Sequence, residues 1–233
     1  NQAGFPSETP ARVLRYGTGG EATRIEDVED RGLLGSRFRL VLPDGDAVVD
    51  LSTPGRHQAE NLLGAAAAAT AFGISAEQVA EVASALRAPE HRGRLLAIGD
   101  GISLVDDSYN SSPLAVRRLL ELLARVPGRR IAVLGEMYEL GTKAAEAHRQ
   151  AGEEAAAACD LLVAVGGANA AELARGAREA GMPDGSIHLA EDADRAAELL
   201  RGVLRSKDAV LVKGSRGVGL DRTVAELTGE EAA

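Results

Sequence analysis

The 233-residue sequence contains one cysteine and no tryptophan, and aromatic residues make up only 3% of it. A single cysteine, Cys159, cannot form a disulfide within the chain, and no second cysteine stands at a zinc-ligand spacing. These absences exclude a disulfide-rich secreted fold and a cysteine-based metal site. A bilayer-spanning run of about 20 apolar residues is also lacking. We therefore expect a cytoplasmic protein without a membrane partner.

Positive charge is in deficit, since 26 Lys and Arg residues stand against 35 Asp and Glu residues and give a net charge of -9. Such a chain is poorly attracted to nucleic acid, which we exclude as a partner. The lysines are Lys143, Lys207 and Lys213, and none lies in a GxxxxGK[ST] sequence. This excludes a self-contained phosphate-binding P-loop.

What is present is ordinary globular composition, with 45% hydrophobic and 26% charged residues. From Ala11 to about Leu51, apolar and polar residues alternate between turn-forming segments at 17–20 and 43–46. This pattern predicts antiparallel strands joined by tight turns.

Two helices are predicted next. An Ala-rich helix is expected over His57–Phe72 and ends at Gly73, the usual residue for a left-handed helix end. A second helix begins after Ser75, with Gln78 as its capping-box partner, and ends near Pro89.

The Pro- and Gly-containing segment 89–93 is the best linker candidate, so we predict two domains, 1–90 and 91–233. Beyond the linker, short apolar runs alternate with amphipathic helices. The predicted strands are Leu95–Ile98, Ser103–Asp106, Arg130–Leu134, Leu161–Val165, Ile187–Leu189 and Ala209–Val212; the predicted helices are Pro113–Arg125, Ala144–Ala158, Ala170–Ala180, Asp192–Arg205 and Leu220–Leu227. This alternation predicts an α/β fold with a mostly parallel sheet, which binds ligands at the carboxyl ends of its strands.

The segment 105–113, VDDSYNSSP, places two carboxylates at a predicted strand end and then Ser112 and Pro113 at a helix start. A carboxylate in this position, such as Asp107, can accept hydrogen bonds from ribose hydroxyls. Alternatively, Asp107, Asn110 and Ser112 only satisfy turn and cap hydrogen bonds. Local spacing leaves both interpretations open.

Three further segments carry candidate groups, each with a plain structural alternative. Gln58 and Asn61 share a helix face and can bind a purine edge, or they belong to a polar first helical turn with His57. Arg94 suits a phosphate or an ordinary salt bridge. Segment 134–141, LGEMYELG, is a glycine-flanked acidic loop that can bind an ammonium group or simply turn the chain.

The loop 213–219, KGSRGVG, joins the last predicted strand to the last helix. Its glycines and its two cations, Lys213 and Arg216, suit an anion. Its glycine spacing differs from the dinucleotide-binding GxGxxG pattern. His148, in a predicted helix, is expected to be exposed or satisfied by hydrogen bonds.

Taken in chain order, the segments PGRHQAEN, GR, DDSYNSSP, LGEMYELG and KGSR resemble the Mur ligases. The resemblance extends from about Ala11 to the carboxyl end, and the DDSYN and LGEM strings favour the D-Ala-D-Ala-adding branch. It implies a carboxyl-terminal Rossmann-like domain preceded by the β-rich and helical back part of a central ATPase domain. The amino-terminal domain and the P-loop would be missing, so we expect a fragment that is inactive alone.

The resemblance also implies what the complete enzyme does in peptidoglycan synthesis. It would transfer the γ-phosphoryl group of ATP to UDP-MurNAc-tripeptide, and D-Ala-D-Ala would attack the resulting acyl phosphate. ATP and Mg²⁺ are the implied cofactors, with the metal ligands mostly outside this chain, and a monomer is expected. Alternatives are another Mur-type or folylpolyglutamate-type ligase, or a noncatalytic Rossmann-like binding module.

Roles for individual residues follow from the same resemblance. The nucleotide contacts would be His57, Gln58, Asn61, Arg94, Asp107 and Asn110; the catalytic residues Lys213 and Arg216; and the substrate contacts Glu136 and Ser215. Gln58 stands where the family usually has Asn, so a longer side chain must fit there. No metal ligand is assigned within the chain.

Overall fold

The computed structural model describes residues 13–17 and 22–229, and these residues form two compact units. The amino-terminal unit consists of the residues up to Glu29 together with Ser36–Leu51 and Arg56–Leu86. The carboxyl-terminal unit contains Asp30–Gly35, Ser52–Gly55 and the chain from Arg87 onward. No helix within the described ranges is both long and apolar enough to cross a membrane.

The amino-terminal unit contains a four-stranded sheet and two helices. In chain order its elements are β1 (Tyr16–Gly17), β2 (Thr23–Asp30), β3 (Ser36–Leu42), β4 (Gly45–Leu51), α1 (Arg56–Thr70) and α2 (Ala76–Ala85), and the strand order is β1-β2-β3-β4. Its core joins Phe38 and Leu40 of β3 to Ala59 and Leu63 of α1. The alternation along β3 therefore buries one face of the sheet against a helix, as expected for a half-buried strand.

The strand prediction is confirmed for β3 and β4 but not throughout. Leu42 pairs with Gly45 in the antiparallel register, so the predicted turn at Pro43 and Asp44 is present. β1 pairs with β2 in parallel, so the antiparallel prediction is wrong there. The alternation of apolar and polar residues shows which face of a strand is buried, but it does not show the direction of the strand. The sequence did not predict β2, because its TRIEDVED sequence is mostly charged. The turn at 17–20 lies, except for Gly17, outside the described residues.

The helix predictions in this unit are confirmed within a few residues. Gly73 follows α1 with a φ of 73°, the left-handed conformation that glycine adopts without strain. The Ser75 side chain accepts a hydrogen bond from the Gln78 amide, and the Gln78 side chain accepts one from the Ser75 amide. This reciprocal capping box begins α2.

The carboxyl-terminal unit contains a six-stranded sheet covered by five helices. In chain order its elements are β5 (Arg94–Ile98), β6 (Ile102–Asp107), α3 (Pro113–Leu123), β7 (Arg130–Gly135), α4 (Ala144–Ala158), β8 (Leu161–Val165), α5 (Ala168–Glu179), β9 (Ile187–Ala190), α6 (Ala193–Val203), β10 (Ala209–Lys213) and α7 (Leu220–Thr228). The strand order is β5-β6-β10-β7-β8-β9, and only β5 runs antiparallel to its neighbour. The predicted α/β class with a mostly parallel sheet is confirmed.

Two apolar cores lie on opposite faces of this sheet. One packs α3, α4 and α5 against the strands, and the other packs α6 and α7 against them. The chain therefore leaves β6 and β7 toward one face, but it leaves β10, which lies between them, toward the other. Loops that diverge in this way open a crevice at the carboxyl ends of the strands, where α/β proteins bind ligands.

Cys159 follows α4 and is buried, and burial raises the pKa of its thiol to about 12. Since the thiolate is the reactive form, we expect the folded protein to react very slowly with an aromatic disulfide reagent at pH 8. The same reagent should titrate one thiol rapidly after denaturation, which absorbance measures directly. Rapid stoichiometric labelling of the folded protein would contradict this expectation.

Candidate functional site

An ion pair at the carboxyl edge of the sheet joins two of the predicted site residues. Lys213 ends β10 and Asp107 ends β6, and the parallel register places them side by side. Lys213 Nζ donates to Asp107 Oδ2 at 2.5 Å and to the Asn110 carbonyl oxygen at 2.7 Å. The Lys213 side chain is 2% exposed, whereas that of Asp107 is 22% exposed. A buried ammonium therefore orients a carboxylate that still reaches solvent.

The preceding carboxylate, Asp106, has a different environment. Its Oδ1 accepts hydrogen bonds from the amide and hydroxyl of Ser108, and its Oδ2 lies 2.9 Å from His91 Nδ1. The Tyr109 amide donates to the carbonyl oxygen of His91. Asp106 is 1% exposed and stabilises the loop that follows β6, whereas its neighbour Asp107 remains accessible to solvent.

The rest of this loop performs the turn and cap roles that the sequence left open. The Asn110 side-chain oxygen accepts a hydrogen bond from the Ser111 amide. Ser112 is the N-cap of α3, since its hydroxyl accepts from the Ala115 amide, and Pro113 is the first helical residue. The carbonyl oxygen of Asn110, rather than its side chain, contacts Lys213.

Two arginines converge on the ring of Tyr109. The Arg92 guanidinium carbon lies 4.1 Å from the ring centroid and that of Arg216 lies 5.7 Å away. Both distances allow a cation–π attraction. Arg216 is half-exposed, and its Nη1 also lies 3.5 Å from Asp221 Oδ2. Sequence reasoning missed Arg92 and Tyr109, because no spacing rule shows that the linker and the last loop meet.

Ser215 is buried and fastens two loops together. Its hydroxyl accepts a hydrogen bond from the Tyr138 amide at 2.9 Å, and its own amide donates to the carbonyl oxygen of Glu136. Nearby, the strand ends approach closely at two glycines, because a Cβ on Gly214 would lie 3.2 Å from the Cα of Gly135. The loop 213–219, here called the glycine loop, therefore needs small residues for packing as well as for its turn.

Glu136 directs its carboxylate at the start of α5. Its Oε1 accepts hydrogen bonds from the amides of Gly167, Asn169 and Ala170, at 3.1, 3.0 and 3.4 Å. A carboxylate is stabilised at a helix amino terminus because the free amides and the helix dipole both favour negative charge. The structure thus shows Glu136 as a cap, and its role as a substrate contact stays a prediction.

The remaining predicted nucleotide residues lie on two different units. His57, Gln58 and Asn61 lie in the first turns of α1 in the amino-terminal unit, where the Asn61 amide donates to the Gln58 side chain at 3.3 Å. Arg94 begins β5 in the carboxyl-terminal unit and pairs in register with Asp106. Within that unit the structure therefore brings Asp107, Lys213 and the Asn110 backbone together directly.

The described part of the chain contains no group of three His, Cys, Asp or Glu side chains that could hold a metal ion. Asp107, the accessible acid, has a lysine rather than a second carboxylate beside it. Magnesium favours several oxygen ligands, so these residues alone do not fit a metal site.

Comparison with known proteins gives the chain a family. The family model described as "Mur ligase, glutamate ligase domain" matches residues 91–216, just over half of the chain. The curated protein named UDP-N-acetylmuramoyl-tripeptide–D-alanyl-D-alanine ligase from Mycobacterium tuberculosis is 37% identical over 217 residues, covering 84% of this chain and 42% of that protein. The chain therefore spans about two-fifths of the length of this relative.

Solved structures share the fold. MurF from Acinetobacter baumannii superimposes with a TM-score of 0.79 at 24% identity, covering 92% of this chain and 46% of that one. MurF ligase from Thermotoga maritima, solved in complex with ADP, gives a TM-score of 0.76 at 25% identity, covering 93% and 48%. With the family model matching more than half of its length, this chain belongs to the Mur ligase family.

Proposed function

We propose that this chain is part of a longer ATP-dependent ligase that joins D-Ala-D-Ala to UDP-MurNAc-tripeptide through an acyl phosphate. The observation that carries the proposal is the 37% identity to a relative named for that reaction. The geometry of the sheet edge supports it, because an accessible carboxylate ends β6 and a half-exposed guanidinium follows the adjacent β10, at the edge where α/β proteins bind ligands.

The nucleotide part of the proposal rests on the orientation of Asp107. One carboxylate oxygen, Oδ2, is held by Lys213, and Oδ1 accepts no hydrogen bond from any described residue. A fixed carboxylate with one open oxygen suits the hydroxyls of a ribose, which are donors. The relative from Thermotoga maritima was solved with ADP, which agrees with a nucleotide as ligand.

The two cations of the glycine loop have different proposed tasks. Lys213 is buried and has two acceptors, so it orients Asp107 and acts on the ligand only through that residue. Arg216 is half-exposed and is the cation that meets the incoming substrate or the acyl phosphate. Guanidinium groups suit this task because they bind carboxylate and phosphate oxygens in pairs.

We also propose the domain division 1–90 and 91–233, with the second part folding as the Rossmann-like domain. The family match beginning at residue 91 supports this boundary. A monomer is proposed, and the chain alone is expected to be inactive, since it spans 42% of its relative. Mg²⁺ would be held mainly by residues beyond those described here.

The amine specificity is tested with the complete enzyme, ATP and UDP-MurNAc-tripeptide. Each amine is supplied separately: D-Ala-D-Ala, D-Ala, L-Ala-L-Ala, glutamate and diaminopimelate. Phosphate release and product mass should show condensation with D-Ala-D-Ala, with little turnover when the tripeptide is omitted. Exclusive use of glutamate or diaminopimelate would replace the proposal with another ligase of the same class.

The sequence of the reading frame upstream of Asn1 distinguishes the ligase from the alternative, a noncatalytic binding module. A GxxxxGK[ST] sequence there supports the ligase, because the described residues cannot supply that phosphate loop. A start codon with no such sequence supports the binding module.

A further inference from the structure

We propose that His148 is a positioning residue that holds the segment Glu136–Leu140, here called the β7 loop, against the candidate site. The inference rests on the proposed function for its readout. The sequence predicted that His148 is either exposed or satisfied by hydrogen bonds, and the structure shows the second: its ring is fully buried and contacts the backbone of the β7 loop.

Both ring nitrogens of His148 are used. The Met137 amide donates to Nε2 at 2.7 Å, so Nε2 carries no proton. Nδ1 lies 2.6 Å from the carbonyl oxygen of Ala144, which can only accept, so Nδ1 carries the proton. The ring is therefore the neutral Nδ1–H tautomer, and it links the first turn of α4 to the backbone of the β7 loop.

The β7 loop has a conformation that needs such support. Glu139 has a φ of 64°, a left-handed conformation that residues other than glycine adopt at a cost. Beyond the His148 contact, the loop is held by Ser215, which bonds the Tyr138 amide, and by the Glu136 carboxylate at the start of α5. The strained loop is therefore fixed at three points, by the side chains of His148 and Ser215 and by its own Glu136 carboxylate, and it forms a rigid surface.

This rigid surface faces the loop that carries Arg216. The ring of Tyr138 lies against Gly217, where an added Cβ would be 2.7 Å from the ring edge, and the ring is partly exposed. Displacing Met137 would move Tyr138, the next residue, relative to the glycine loop. Asp107 and Asn110 contact Lys213 on the β6 side of β10, whereas the β7 loop lies on its other side. Because Asp107 is the proposed ribose contact, the loop 108–112 after β6 would border the nucleotide, and we assign the β7 loop, on the other side of β10, to the incoming dipeptide.

Two isosteric substitutions separate the contacts of His148. In His148→Gln the side-chain oxygen reaches the position of Nε2 and can still accept from Met137. In His148→Asn the amide reaches only the position of Nδ1, so Ala144 keeps a donor and Met137 loses its acceptor. His188, on the edge strand β9 of the same unit, is the matched control position.

The wild-type complete enzyme is assayed first, and absence of D-Ala-D-Ala ligation would refute the proposed function rather than this inference. With an active enzyme, His148→Asn should lower kcat/KM for the dipeptide by about 100-fold, the effect of displacing a positioning group by about 1 Å. The KM for ATP should not change. His148→Gln should stay within about tenfold of wild type, because one buried hydrogen bond is rebuilt, and His188→Gln should match wild type.

Equal loss in the Asn and Gln variants, or a matching rise in the KM for ATP, would overturn the inference. So would unchanged dipeptide kinetics in His148→Asn. Tyr138→Ala, at an exposed position, keeps the test decisive if His148→Asn does not fold. It should also raise the KM for the dipeptide and leave that for ATP unchanged, and an unaltered dipeptide KM would refute the role of the β7 loop.

Discussion

Asp107→Ala is expected to lower the free energy of unfolding of the carboxyl-terminal unit by about 3 to 5 kcal/mol, the cost of leaving a buried charge without its partner. The reason is the burial of Lys213, whose side chain is 2% exposed and whose ammonium would keep only the Asn110 carbonyl oxygen as acceptor. Lys213→Met should cost less, about 1 to 3 kcal/mol, because Asp107 is 22% exposed and water can solvate it.

The double variant Asp107→Ala with Lys213→Met should recover most of the stability lost in Asp107→Ala, because neither charge remains. Urea unfolding of the chain, combined with hydrogen exchange of the peptide that contains β10, reports on this unit separately. Additive losses in the double variant would show that the two residues do not interact. Equal losses in the two single variants would contradict the difference in burial.

Gly176→Ala should destabilise the same unit by about 3 kcal/mol, at the upper end of the usual range for overpacking. Gly176 lies in α5 and Gly152 in α4, and each helix backbone fills the space where the other glycine would carry a side chain. An added Cβ on Gly176 would overlap the carbonyl oxygen of Arg149, and one on Gly152 would overlap that of Leu173. Because both obstacles are backbone atoms, a side-chain rotation cannot relieve them.

Gly202→Ala is the matched control, since Gly202 is also helical but nothing lies within 4 Å of the added Cβ. That variant should be more stable by about 0.5 kcal/mol, because alanine favours helix more than glycine does. The two thermal unfolding midpoints should therefore move in opposite directions. A neutral effect at Gly176 would mean that α4 and α5 can separate at little cost.

Local pattern predicted the elements of the carboxyl-terminal unit well, because its strands are short and mostly apolar and two of its helices, α3 and α6, begin at a side-chain N-cap. Leu161–Val165 and Ala144–Ala158 agree with the structure at both ends. The proximity of Asp107 and Lys213 could also be predicted, because both residues end parallel strands and therefore lie at one edge of the sheet.

Contacts between distant segments were beyond sequence reasoning. Glu136 caps a helix that begins 32 residues later, and no spacing rule connects an acid after one strand to the amides after the next. The same holds for His148, whose ring lies beneath Met137 only because α4 packs under the loop that precedes it. Strand β2 was missed for a different reason, because its charged residues show no apolar alternation.

The central claim is that Lys213 orients Asp107 so that its open oxygen receives a ribose hydroxyl. The direct measurement compares KM for ATP with KM for 2′,3′-dideoxy-ATP in the complete enzyme, in wild type and in the Asp107→Ala, Lys213→Met double variant. Wild type should bind the dideoxy analogue about 10- to 100-fold more weakly, as expected for loss of a hydrogen bond to a charged group. The double variant should bind both nucleotides equally, with a KM close to that of wild type for the analogue. A double variant that still prefers ATP by the wild-type factor would contradict the account.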